Sequence, residues 1–186
     1  IKLVQQPPQQ AATAPQAQQQ PDPTYQQPTI SDSPKLENLQ YISSKQMGTG
    51  EMHQYKDTNG NEWIFKPAQS KAGTPEAFRG YVQEAGYKVQ SIIDPDSAVP
   101  CGTITLDTPN GTKFGAAQLK INGTDPNFNL KAWQHGGAAP SADVLAQLQR
   151  ENVTDWLMCN YDSHGGNFLL DQTTGRLIGV DKEQAF

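Results

Sequence analysis

The chain is short of cysteine, of net positive charge and of long apolar runs, and each shortage closes off a class of protein. Only Cys101 and Cys159 occur in 186 residues. They lie far apart, with neither Cys-x-x-Cys nor Cys/His ligand spacing, which argues against a zinc knuckle or a disulfide scaffold and fits a reducing compartment. A cytoplasmic location is the expectation. No stretch approaches the roughly 18 consecutive apolar residues of a spanning helix, and the N-terminus lacks the basic region and apolar run of a secretory leader. No transmembrane segment is therefore expected. The formal net charge of −5 gives no general attraction to nucleic acid or to an anionic membrane, so no nucleic-acid partner is expected. At this length the chain holds one compact domain but not two full-sized ones. Because it starts at Ile1, it is expected to be a piece of a longer polypeptide.

What is present changes character along the chain. Gln5 to Pro28 are dominated by Gln, Pro and Ala. The prolines block a helix or ladder, and few apolar side chains offset the entropy of ordering. Residues 1–34 thus read as a disordered linker, with a proline-motif docking site as the other reading. Folded structure should begin near Leu36, with a strand around Leu39 to Ile42 ending at Gly48-Thr49-Gly50. Next come a strand from Met52 to Lys56, the turn Asp57-Thr58-Asn59-Gly60, and the strand Glu62 to Lys66.

Thr74-Pro75-Glu76 then supplies an N-cap, a first-turn proline and an acidic residue, announcing a helix that Asp94-Pro95 stops. Phe78, Tyr81, Val82, Ala85, Val89, Ile92 and Ile93 recur at helical spacing and are expected to face the core. Two more strands, Gly102 to Leu106 and Gly115 to Ile121, flank the turn Thr108 to Thr112. Residues 122–140 read as a loop with at most a short helix around Leu130 to Trp133. Ser141 and Asp143 open a further helix, expected to bury Val144, Leu145, Leu148, Val153, Trp156 and Leu157. The fold class is α+β, a small antiparallel sheet with one helix followed by a more helical part.

The chemistry-bearing residues fall in the order that phosphoryl transfer needs: a cation for phosphates, oxygen ligands for Mg²⁺, and a carboxylate near the attacking hydroxyl. Lys66 ends a strand, placed to reach phosphates held under Gly48, Thr49 and Gly50. Glu84, midway along the helix, is expected to pair with Lys66 and hold it forward. Asp162 and Asn167 stand at the D-x-x-x-x-N spacing of a kinase catalytic loop, directly before an apolar strand. Asp181 ends the following strand, so a tight hairpin should bring it beside Asn167 as a second Mg²⁺ ligand. His164 is placed to contact a transferring phosphate or donate a hydrogen bond. The plainer reading of residues 160–167 is a turn rich in Asp, Asn and Gly; the alignment with Lys66, Glu84 and Asp181 weighs against it.

The segments Trp63 to Pro67, Gln83 to Tyr87, Ala98-Val99-Pro100, Ala117-Gln118-Leu119, Asn160 to Asn167 and Gly179 to Phe186 resemble, in order, the landmarks of the phosphatidylinositol 3-/4-kinase-related superfamily. They are most similar to type II phosphatidylinositol 4-kinases and more distantly to actin-fragmin kinase and the HipA-like kinases. The resemblance spans roughly residues 40–186. It implies a two-lobed protein-kinase-like fold, with residues 35–121 as the N-lobe and 122–186 as a short or truncated C-lobe carrying the catalytic loop. It further implies that Lys66 binds ATP phosphates with Glu84 in support, and that Gln118, Leu119 and Lys120 lead to the adenine-binding hinge. Asp162 would be the catalytic carboxylate, and Asn167 and Asp181 would hold Mg²⁺.

The expectation is an ATP- and Mg²⁺-dependent kinase that passes the γ-phosphoryl group to a hydroxyl on a protein, as a bacterial effector or toxin delivered into a host cell would, with room for an activating protein partner. A phosphoinositide acceptor is the alternative, although the Cys-rich stretch of the type II lipid kinases is absent. A pseudokinase serving as a nucleotide-binding interaction module, and an adenylylating transferase, complete the set of readings.

Overall fold

A computed structural model describes residues 30–47, 50–68, 75–125 and 128–186. The described chain is α+β, with strands β1 (Gln40–Met47), β2 (Gly50–Lys56) and β3 (Glu62–Pro67), then helix α1 (Pro75–Ile93), and strands β4 (Cys101–Thr108) and β5 (Gly111–Leu119). Helices α2 (Leu130–Gln134) and α3 (Ala142–Leu157), a 3-10 turn at Gly165–Asn167, and strands β6 (Phe168–Leu170) and β7 (Leu177–Gly179) follow. The first five strands form one antiparallel sheet in the order β1-β2-β3-β5-β4, and β6 and β7 form a separate hairpin. Among the described residues no helix is long and apolar enough to cross a membrane.

Local chemistry accounts for the hairpins. Between β2 and β3 the Asp57 carboxylate accepts from the backbone N–H groups of Asn59 and Asn61, both at 2.9 Å, and from Trp63 Nε1 at 3.1 Å. Gly60 takes the left-handed φ of +88° that the turn demands. Between β4 and β5, Pro109 and Asn110 form the turn and Gly111 adopts φ +96°.

Alternation along the strands gives the sheet two different faces. Tyr55, Trp63, Phe65 and Ala117 form a buried cluster on one face, closed by Leu36, Leu39, Ile104, Leu106 and Leu119. Helix α1 lies against β4 and β5 on the opposite face, where Gln83 Nε2 donates to Gln118 Oε1 at 3.3 Å. A second apolar cluster, Leu130, Val144, Leu148, Phe168 and Leu177, lies among α2, α3, β6 and β7. Ser141 caps α3 by accepting from Val144 N–H at 3.3 Å.

Both long helices bury a different face from the one their apolar periodicity suggests. In α1 the buried residues are Ala77, Gly80, Gln83, Gly86, Gln90 and Ser91, while Phe78 and Tyr81 are about half exposed. The reason is close packing: a Cβ on Gly80 would already be in contact with the Gly115 backbone at 3.4 Å, and one on Gly86 would overlap Lys182 Cβ at 2.7 Å. Small residues let α1 approach the sheet, and the bulky stripe is turned outward. In α3, Val144 and Leu148 are buried as expected, but their companions are Gln147, Glu151, Thr154 and Asp155, and Val153, Trp156 and Leu157 are exposed. Here hydrogen-bonded polar groups take the inward positions.

Residues at the end of the expected linker make contacts with the domain. Ser33 donates a hydrogen bond to Glu84, and Pro34 and Leu36 pack over Gly102. Residues 1–29 of the expected linker lie outside the described residues, as does the Thr74 N-cap.

Candidate functional site

Strand β3 delivers Lys66 onto the α1 side of the sheet, in register with Ala116 of β5. Its ammonium meets Asp181 Oδ2 at 2.6 Å, with both side chains partly exposed. Asp181 stands two residues beyond β7 and adopts a left-handed φ of +64°, a conformation that Asp tolerates better than most residues. Backbone pairing holds it there: Val180 N–H donates to the Asn167 carbonyl at 2.8 Å. The β6–β7 hairpin therefore pairs Val180, the residue before Asp181, with Asn167.

The loop before β6 is braced internally. Asn167 Nδ2 donates to the Asp162 carbonyl at 2.8 Å, which commits the amide nitrogen and leaves Oδ1 as the acceptor atom. His164 caps the 3-10 turn, its Nδ1 accepting from Gly166 N–H at 3.0 Å. That bond places the ring proton of a neutral imidazole on Nε2, which faces Asp162 Oδ1 at 3.9 Å. The gap is too long for a hydrogen bond, so His164 and Asp162 are neighbours rather than partners.

Glu84 does not pair with Lys66. Its carboxylate accepts from Thr103 N–H and Thr103 Oγ1, both at 2.8 Å, from Lys88 at 3.0 Å, and from Ser33. The register explains this. Thr103 lies opposite Ala116, and Ala116 opposite Lys66, so Thr103 and Lys66 stand two strands apart, about 10 Å at ordinary strand spacing. Burial would raise the Glu84 carboxyl, but the hydrogen bonds from Ser33, Lys88 and Thr103 outweigh it and bring it down to about 2. Glu84 ties α1 to β4, and Asp181 takes the place beside Lys66.

The remaining expected nucleotide contacts divide. Gly50 opens β2 opposite Met47, whereas Gly48 and Thr49 lie outside the described residues. Gln118 and Leu119 end β5, with Leu119 N–H donating to the Pro100 carbonyl at 2.8 Å. Lys120 follows directly and its ammonium is held by Glu62. The chain then leaves the sheet toward α2, so these three residues stand at the connection between the two apolar clusters.

Sequence reasoning passed over Glu183 and Arg79. Both line the cleft that Lys66 opens between β3, β5 and the first turns of α1, together with Glu76, Gly80 and Gln83. Burial raises the Glu183 carboxyl, an effect that the Lys66 cation opposes and the Asp181 charge adds to. The signal was available in the run Asp181-Lys182-Glu183, three charged residues immediately after an apolar strand.

Among the described residues no group of three or more His, Cys, Asp or Glu side chains is arranged to hold a metal ion. One carboxylate and one amide oxygen do not make a complete cation cage, and Mg²⁺ ordinarily completes its shell with phosphate oxygens and water. Asp181 Oδ1 fits that incomplete kind of site, because it is buried and has no hydrogen-bond partner. An orphaned carboxylate oxygen is costly unless a cation or donor meets it. No protein-family model matches the chain, and no curated protein matches it.

Proposed function

We propose that the chain is an ATP- and Mg²⁺-dependent phosphotransferase with a two-lobed kinase-like architecture. The sheet with α1 would be one lobe, and α2, α3 and the β6–β7 hairpin the other. The observation that carries this reading is the meeting of Lys66 with Asp181 at 2.6 Å, with the second Asp181 oxygen buried and unpartnered. A strand lysine that lines the cleft and a hairpin carboxylate from a different part of the chain meet in one ion pair, and the residue before that carboxylate pairs with Asn167 of the loop.

In this reading each side chain has one task. Lys66 would exchange Asp181 for nucleotide phosphate oxygens, which frees the Asp181 carboxylate for the site. Asp181 and Asn167 would hold Mg²⁺ through side-chain oxygens, and the ion would offset negative charge on the phosphates. Asp162 accepts the proton of the acceptor hydroxyl as that oxygen bonds to the γ-phosphorus and the bond to the β-phosphate oxygen breaks, releasing ADP. His164 Nε2–H is placed to donate to a phosphate oxygen. The acceptor we favour is a protein hydroxyl, since a net charge of −5 gives the chain no general attraction to an anionic lipid surface.

Incubation with γ-labelled and α-labelled ATP, in the presence of protein acceptors or phosphoinositide vesicles, tests the proposal. Label from the γ position on protein, strongly reduced by Asp162→Asn, is the expected result. Label from the α position would make the reaction an adenylylation, and no transfer from either position would sink the phosphotransfer reading.

A further inference from the structure

Beneath the candidate site lies a polar network that none of the roles above uses. Lys182, next to Asp181, turns its side chain inward until it is 4% exposed, and its ammonium meets Asp155 Oδ1 at 2.6 Å and Glu151 Oε2 at 3.4 Å. Two glycines make the passage. A Cβ on Gly86 of α1 would stand 2.7 Å from Lys182 Cβ, and one on Gly179 of β7 would stand 2.8 Å from Lys182 Nζ and 2.3 Å from Glu151 Oε2. Asp155 is also held from the other side. Ser163 Oγ donates to Asp155 Oδ2 at 2.7 Å, and Asn160 Nδ2 donates to Asp155 Oδ1 at 3.0 Å.

Ser163 directly follows Asp162, and Lys182 directly follows Asp181. Each acid of the site is thus chain-adjacent to a residue that binds the same buried carboxylate. We propose that Asp155 is a positioning residue that fixes the separation of the Asp162 and Asp181 carboxylates, through Ser163 on one arm and Lys182 on the other. This rests on the phosphotransfer reading of those two acids. Glu151 completes the device by linking it to α1, since Gln90 Nε2 donates to Glu151 Oε1 at 2.7 Å and to Ser97 Oγ at 3.0 Å.

A buried network of this kind is poorly explained by stability alone. An ion pair out of water repays its desolvation only with good geometry, and replacing both partners by apolar side chains is often neutral or stabilising. That asymmetry separates positioning from mere support. The double variant Asp155→Leu/Lys182→Met removes both partners of the pair and leaves Glu151 to its hydrogen bond from Gln90, while Ser163→Ala cuts one arm at an exposed position and Ser163→Thr restores its hydroxyl.

The measurements are thermal midpoint, calorimetric affinity for Mn²⁺·ATP, and steady-state turnover, each on the full chain. Wild type should bind and turn over ATP. Ser163→Ala should keep its midpoint and its KM for ATP within about threefold yet lose roughly tenfold in kcat, with Ser163→Thr recovering most of it. The double variant, if folded, should lose tenfold or more in both Mn²⁺·ATP affinity and kcat. Full turnover in folded Ser163→Ala, or in the folded double variant, would overturn the positioning role while leaving the phosphotransfer reading intact. A wild-type protein that neither binds Mn²⁺·ATP nor turns it over removes the phosphotransfer reading, and the positioning role with it.

Discussion

Lys66 and Asp181 form an ion pair at 2.6 Å even though one stands on a strand in the middle of the sheet and the other follows the last strand of the chain. The pair ties the sheet to the segment after the hairpin, and in the proposed function it is also the contact that ligand binding must break.

Asp181→Asn should therefore change ATP affinity in opposite directions with and without metal. Without divalent cation the variant frees Lys66 and removes a repelling carboxylate, so ATP should bind several-fold more tightly than to wild type. With Mg²⁺ the lost carboxylate oxygen should weaken binding by about tenfold or more. Mg²⁺ alone should give no measurable heat with wild type, since the protein supplies too few ligands. Titration calorimetry under the three conditions checks all of this, and equal affinities for the two proteins with Mg²⁺ present would take Asp181 out of the site.

Lys66→Met and Asp162→Asn should fail differently. Lys66 faces phosphate charge before and during reaction, so its loss should raise KM and lower kcat together. Asp162 matters as the acceptor attacks, so its amide should bind ATP within a few-fold of wild type and turn over on the order of 10²-fold more slowly. Steady-state kinetics with direct ATP binding separates the two, and full turnover by Asp162→Asn would return residues 160–167 to a structural turn.

Acid stability should carry a contribution from Glu84. Its carboxyl lies at about 2 in the folded chain against an ordinary 4.5, so unfolding takes up protons as the medium becomes more acidic. The contribution is complete above about pH 4.5 and is lost progressively as pH falls toward 2. Glu84→Gln should flatten that part of a stability profile measured by urea unfolding. Ser33→Ala should cost about 1 kcal/mol near neutrality, the scale of one hydrogen bond to a charged group near the surface, and an unchanged midpoint would detach that segment from the fold.

Thiol chemistry should distinguish the two cysteines. Burial pushes the Cys101 thiol up to about 12, with the Glu84 charge adding to the rise and Lys66 opposing it, whereas Cys159 is exposed. Iodoacetamide at pH 8 should label Cys159 alone in the native protein and both residues in denaturant. Mass spectrometry of the labelled chain reads the result, and rapid native labelling of Cys101 would contradict its place beneath α1.

The elements themselves were legible because their signals are local. The Asp57 to Gly60 and Thr108 to Thr112 turns, the proline at the start of α1 and the serine cap of α3 each act within a few residues, and the strands and helices follow from them. The spacing of Asp162, Asn167 and Asp181 was legible for the same reason, since one hairpin connects them. Burial was not. Apolar periodicity cannot see that Gly80 and Gly86 need close neighbours, or that Gln147, Glu151 and Asp155 find partners in the interior, so the stripes with Phe78 and Trp156 were turned the wrong way. The Glu84 contact failed on strand order: that β5 enters between β3 and β4, putting two strand spacings between Lys66 and Thr103, is a long-range fact.

That same order has a kinetic consequence. β1, β2 and β3 follow one another along the chain, and β4 and β5 form a hairpin, but β3 and β5 pair only after the whole of α1 and β4 has been enclosed. The two local hairpin units can form early, while the central seam waits on a larger loop closure. Lys66 lies on that seam. During refolding, strand signal should therefore return ahead of nucleotide binding, and destabilising the seam at Ala117 should slow recovery of binding more than substitutions confined to the β1–β2 pair.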